Sequence, residues 1–101
     1  MRNLVLIVPE SAYTAVADRL RELDVAGFTV CHVQGHGPHT AEDPFLSERD
    51  RVVGFVPQVR VDIVLPSDQV PVVLAGLQAP GTDFSGHGTF WVLSVESFGR
   101  L

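Results

Sequence analysis

Four histidines, one cysteine and two tight glycine turns are the residues of this chain that could do chemistry. His32, His36, His39 and His87, with Cys31, are donor types suited to zinc or copper. Their placement argues against one shared centre. Cys31 and His32 are adjacent on a stretch that reads as a strand, so their side chains leave on opposite faces. Scattered histidines are ordinarily polar surface residues, and Cys31 reads as a small buried hydrophobe rather than a nucleophile. No Ser-His-Asp spacing offers a base beside a hydroxyl. The glycines carry more information. In Gly35-His36-Gly37 and Gly86-His87-Gly88 a backbone with few Cβ atoms can approach a ligand closely. That pattern points to a ligand sensor rather than an enzyme.

The elements that must position these turns follow from the apolar pattern. Leu4 to Val8 is a continuous apolar run and reads as a central strand buried on both faces. Pro9 ends it, and Ser11 is placed to cap a helix. Tyr13, Val16, Ala17, Leu20 and Leu23 then form one helical stripe, with Asp18, Arg19, Arg21 and Glu22 on the solvent side. After Gly27 a second strand begins at Phe28. Residues 38–51 carry two prolines, dense charge and little periodicity, and read as a poorly ordered loop. Its bland interpretation is a solvated charged segment; its place between two candidate ligand-lining strands favours partner binding.

A third strand is expected from Val52 to Leu65. Val59, Val61, Ile63 and Leu65 alternate there with Gln58, Arg60 and Asp62, and Pro57 marks a bend, bulge or edge. Ser67 or Asp68 can cap a second helix that buries Val70, Val73, Leu74 and Leu77 and tolerates Pro71 in its first turn. Ala79-Pro80-Gly81 stops it, and Thr89 to Val95 forms the last strand. The order βαββαβ predicts an α+β, ferredoxin-like fold: an antiparallel sheet with both helices on one face. The other face would then expose Trp91, Leu93 and part of the Leu4–Val8 run. Apolar surface of that extent marks an interface, so a homo-oligomer with sheets packed inward is expected.

Composition bounds the function. At 101 residues, 46% hydrophobic and 19% charged, the chain is one globular domain, residues 1–101. A net charge of −5, with seven basic residues and no lysine, argues against nucleic acid and against an anionic membrane surface. No apolar run approaches the roughly 20 residues that span a bilayer. The single Cys31 and the absence of a signal-peptide pattern predict a cytoplasmic protein.

These blocks resemble the PII-like signalling family. Its G-[MF]-T-V-x-x-V-x-G-x-G strand is matched by Gly27-Phe28-Thr29-Val30-Cys31-His32-Val33-Gln34-Gly35-His36-Gly37. Its F-x-P-[KQ]-V-[KR]-[IV]-[ED]-[IV]-V strand is matched by Phe55-Val56-Pro57-Gln58-Val59-Arg60-Val61-Asp62-Ile63-Val64. Its last glycine turn and strand are matched by Gly86-His87-Gly88 and Phe90-Trp91-Val92-Leu93. The resemblance covers nearly the whole chain. It implies a homotrimer that binds an adenine nucleotide in each cleft between subunits, and a long loop at about 38–51, the T-loop, that reports ligand state to a partner protein. By position, Gly35, His36, Gly37, Asp62, Val64, Gly86, His87, Gly88 and Thr89 would line the cleft from one subunit. Gly27, Phe28, Thr29 and Arg100 would come from its neighbour.

The chain also departs from the family. Lysines that family members place at positions 58 and 89 are Gln58 and Thr89, Pro38-His39 replace an Arg-Gln pair, Arg51 replaces a modifiable tyrosine, and Arg100 alone remains of two terminal arginines. Loss of cations disfavours a triphosphate, because buried negative charge needs pairing. ADP or AMP is therefore expected over ATP, without a 2-oxoglutarate response. By resemblance to divergent members, bicarbonate is a further ligand, inorganic-carbon metabolism the setting, and a bicarbonate transporter or carboxysome component the regulated partner. The alternative is a trimeric divalent-metal-binding protein using the His and Cys residues; a weak nucleotide hydrolase ranks third.

Overall fold

The computed structural model describes residues 1–36, 56–82 and 87–101. Four strands form one antiparallel sheet: β1 (Arg2–Pro9), β2 (Thr29–Gly35), β3 (Val56–Leu65) and β4 (Thr89–Ser94), in the order β2-β3-β1-β4. Among the described residues two helices, α1 (Tyr13–Glu22) and α2 (Val70–Leu77), interleave with them in sequence. This is the expected ferredoxin-like βαββαβ order. The expected loop at 38–51, Val52 to Phe55 at the start of the third strand, Gly37 and Gly86 lie outside the described residues.

The core sits between the helices and one sheet face. Leu4, Leu6 and Val8 of β1 alternate toward it, as do Val59, Val61, Ile63 and Leu65 of β3. Val16 and Leu20 of α1 and Val70, Val73 and Leu77 of α2 close it from above. The period of two on the strands and of three to four on the helices is what brings these residues onto facing surfaces. Leu4 and Leu20 have no exposed surface at all. Arg19 holds the two helices together by donating from Nε to the carbonyl of Gly76, at 3.1 Å. A Cβ on Gly76 would come within 2.5 Å of Leu23 Cδ2, so glycine permits this close helix contact.

The helix ends differ from the expected caps. Neither Ser11 nor Ser67 nor Asp68 caps a helix through its side chain. Each helix instead grows out of a short 3-10 turn, Glu10–Ala12 before α1 and Ser67–Gln69 before α2, each of which follows a proline. A 3-10 turn tightens the helix entrance by backbone hydrogen bonds, which replaces the side-chain cap. At the far end of α1, Asp24 adopts φ 59°, while Val25 N–H donates to Leu20 O and Asp24 N–H to Arg21 O. This is a Schellman closure with aspartate in the left-handed position that glycine usually takes.

Pro57 fits β3 for a local reason. It pairs with Gln34 on the β2 side, whereas the β1 pairing ends at Pro9 opposite Gln58, so its missing N–H breaks no β1–β3 bond. Cys31 is exposed, on edge strand β2, which corrects the expectation of a buried hydrophobe. Its register partner is Arg60, which places both on the sheet face opposite α1 and α2.

Candidate functional site

The uncovered sheet face is built in rows by the strand register. One row runs Thr29, Asp62, Val5, Trp91; the next runs Cys31, Arg60, Ile7, Thr89; a third runs Val64, Asn3, Leu93. Arg60 and Asp62 are two apart on β3 and so share this face. Arg60 donates from Nε to Asp62 Oδ2 at 2.9 Å and from Nη2 to Oδ1 at 3.0 Å. Asn3 Nδ2 adds a third bond to Asp62 Oδ1, at 3.1 Å. The Arg60 guanidinium also lies over the Trp91 ring, 5.8 Å from its centroid. Hydrogen bonding from Arg60 holds the Asp62 carboxyl below the usual carboxylate value, and the bond from Asn3 lowers it further. The same fork raises Arg60 above the ordinary arginine value.

Asp62 is engaged within the chain. Its two oxygens accept three hydrogen bonds from within the chain, two of which hold Arg60 beside Trp91. Sequence alone held one signal for it: two opposite charges two residues apart on a strand share a face. The link to Trp91 depends on which strands are neighbours, and no local pattern reveals that.

The other candidate residues fall into two groups at opposite ends of the sheet. Gly35 ends β2, followed by exposed His36; Gly88 and Thr89 open β4, where Thr89 pairs with Ile7 near the end of β1. A Cβ on Gly88 would meet the Ile7 carbonyl oxygen at 2.9 Å, so this glycine lets β4 close onto β1. Gly27 and Thr29 lie at the other end, with Phe28 packed against the core and Val64 exposed on β3. Thr29 and Gly35 terminate the same strand, about 20 Å apart at the usual rise. Arg100 is exposed in the tail beyond β4, which leaves the sheet where Val95 N–H donates to Met1 O.

At the Gly27 end a groove of about 200 Å³ opens between the α1–β2 turn and the end of β3, lined by Gly27, Val64, Pro66 and Gln69 among others. Ligand sites for drug-sized molecules run to roughly 300–1,000 Å³, so this groove alone is small for a nucleotide. β4 is exposed on both faces: Phe90, Trp91, Val92 and Leu93 are each 37–46% accessible. Phe90 and Val92, on the helix side, are not part of the expected apolar patch; they are open because α1 and α2 pack over β1 and β3 and leave edge strand β4 aside. Among the described residues, no three of His, Cys, Asp and Glu come together to hold a metal ion. His32 Nδ1 stands 3.6 Å from Glu10 Oε2 on the helix side, with both side chains mostly in solvent.

Known proteins agree with this architecture. The family model described as nitrogen regulatory protein P-II matches residues 1–101. The nitrogen regulatory protein P-II of Rhodobacter capsulatus is 26% identical over 102 residues, covering 100% of this chain and 91% of that protein. Nitrogen regulatory protein P-II 1 of Escherichia coli K12 matches with the same identity and coverage. Among solved structures, a DUF3240 family protein from Shewanella baltica superposes with a TM-score of 0.75 at 20% identity, over 99% of this chain and 94% of that one. That likeness speaks to the fold.

Proposed function

The chain belongs to the nitrogen regulatory protein P-II family, and on that premise we propose that it is a non-catalytic, cytoplasmic signalling protein that works as a homotrimer sensing ADP or AMP. Bicarbonate is the second small molecule of this proposal, inorganic-carbon metabolism its setting. The segment 38–51 would carry the ligand state to a partner, a bicarbonate transporter or carboxysome component. Gly27, Phe28, Thr29 and Arg100 of one copy would complete the cleft that Gly35, His36, Gly37, Asp62, Val64, Gly86, His87, Gly88 and Thr89 of another begin.

The observation that carries this proposal is the distance between the two ends of the sheet: Gly35, Gly88 and Thr89 stand at one end, and Gly27 and Thr29 stand at the other, beside Asp62 and Val64. The groove at the Gly27 end is too small for a nucleotide by itself. A site using Gly35, Gly88 and Thr89 together with Gly27 and Thr29 needs a second copy to bring them together. The apolar, doubly exposed β4 supplies surface for that contact, and a patch of this kind marks an interface. The scarcity of cations favours a diphosphate or monophosphate over a triphosphate, since each phosphate charge removed from water needs a partner.

Calorimetry with AMP, ADP, ATP and Zn²⁺ in parallel, on material whose mass is measured by sedimentation, tests the proposal. Binding of ADP or AMP at one site per subunit of a trimer is expected. A monomer, or Zn²⁺ binding without nucleotide binding, would overturn it; the second result would favour the metal-binding alternative.

A further inference from the structure

Gly35 and Gln58 lie together where the β2–β3 pair ends. Val33 is the register partner of Gln58 and Gly35 that of Val56, so Gly35 and Gln58 stand diagonally on the uncovered face. Gly35 is buried. A Cβ built on it would overlap the Gln58 carboxamide, Oε1 and Cδ both, and would meet Cγ at 2.9 Å. The side chain of Gln58 therefore fills the slot that the missing Cβ of Gly35 leaves.

This contact bears on ligand access. A glycine is useful to a ligand because nothing stands between ligand and backbone. Here something does: an uncharged carboxamide on a flexible stem. It can leave the slot for water and keep its hydrogen-bonding capacity there. Resting on the proposed nucleotide site, we infer that Gln58 is an internal plug of the Gly35 slot, which an incoming nucleotide must displace. Gln58 then has two positions, in the slot when the site is empty and out of it when the site is filled. The affinity that is measured is the intrinsic one reduced by the fraction of molecules whose slot is open. The plug sits on β3 and the slot on β2, so its movement alters the contact between the two strand ends that flank residues 37–55.

Two measurements on the full chain test this. The first needs no nucleotide. In the free protein, an NMR cross-relaxation signal is expected between the Gln58 side-chain amide protons and the Gly35 Hα protons; its absence would overturn the plug. The second is ADP calorimetry on wild type, Gln58→Ala and Gly35→Ala. Gln58→Ala is expected to bind ADP about 3- to 10-fold more tightly, because its slot is always open. Gly35→Ala is expected to bind more weakly than wild type, because a methyl group now fills the slot permanently. Wild-type binding with equal or weaker binding by Gln58→Ala would overturn the plug while leaving the nucleotide site standing. No ADP binding by wild type or by Gln58→Ala would overturn the nucleotide site, and the plug with it. ADP bound only by Gln58→Ala would support the plug in its strongest form.

Discussion

Arg60 lies over the ring of Trp91, 5.8 Å from its centroid, while its Nε and Nη2 are held by the carboxylate of Asp62. The contact joins β3 to β4 across β1, which lies between them. It orients a large aromatic side chain on the face that carries the exposed Leu93 and Val64. A cation resting on an aromatic face gains more once water is excluded, so covering this face would strengthen the contact.

The first prediction concerns that covering. In a trimer whose sheets pack inward, Trp91→Asp would bury a carboxylate beside Arg60, a cation already committed to Asp62. An unpaired buried charge costs several kcal/mol, so the variant should sediment as a monomer where wild type sediments as a trimer. A trimeric variant would show that Trp91 lies outside the interface.

Asp62 should make stability depend on pH in acid. Its folded pKa lies below the ordinary 3.8, so its contribution is fully present above the ordinary value. That contribution is lost as pH falls through the lower folded value, where the native carboxylate takes up its proton. Thermal melts of wild type should therefore fall off below about pH 4. Asp62→Asn, which has no proton to gain, should show a shallower fall between pH 5 and pH 2; parallel curves would refute the assignment.

Gly88 and Gly27 should respond differently to alanine. At Gly88 the new methyl would press on the Ile7 carbonyl oxygen at 2.9 Å and on Val8 Cγ1 at 3.1 Å. Crowding of this kind typically costs 1–3 kcal/mol, about which urea denaturation of Gly88→Ala should centre. Nothing lies within 4 Å of a Cβ on Gly27, so Gly27→Ala should stay within about 0.5 kcal/mol of wild type.

Asp24→Gly should stabilise the chain. Asp24 closes α1 at φ 59°, a conformation that disfavours side chains with a Cβ. Glycine relieves that strain but gives the unfolded chain more freedom, leaving a net gain of about 0.5–1 kcal/mol. A lower melting temperature for the variant would mean that the Asp24 side chain contributes more than its backbone strain removes.

Arg100→Ala should weaken ADP binding by roughly 10- to 150-fold and leave the trimer intact, because a charge-assisted bond to phosphate contributes about 1.5–3 kcal/mol. A larger loss for ADP than for AMP would put Arg100 at the β-phosphate, and an equal loss would put it at the α-phosphate. Unchanged calorimetry for both nucleotides would remove Arg100 from the site.

Much of this architecture was legible in the amino-acid sequence, because side-chain period follows backbone geometry. The alternation of Val59, Val61, Ile63 and Leu65 and the stripe of Val16 and Leu20 specified which faces meet in the core. The motif around Gly27–Gly37 and Phe55–Val64 specified the family. What local pattern could not show was everything that depends on distant segments lying side by side. Ser11 carries the right chemistry for a cap, yet the proline-led 3-10 turn leaves it unused in that role. Cys31 looks like a core residue in isolation and is exposed because the strand register sets it on the sheet face opposite α1 and α2. Asp62 reads as a ligand contact, and only the register that sets Asn3 beside it shows how its oxygens are occupied. Gly35 reads as a place for a ligand; the tertiary structure decided that Gln58 stands there, because a side chain two residues along a neighbouring strand fills whatever space a glycine leaves.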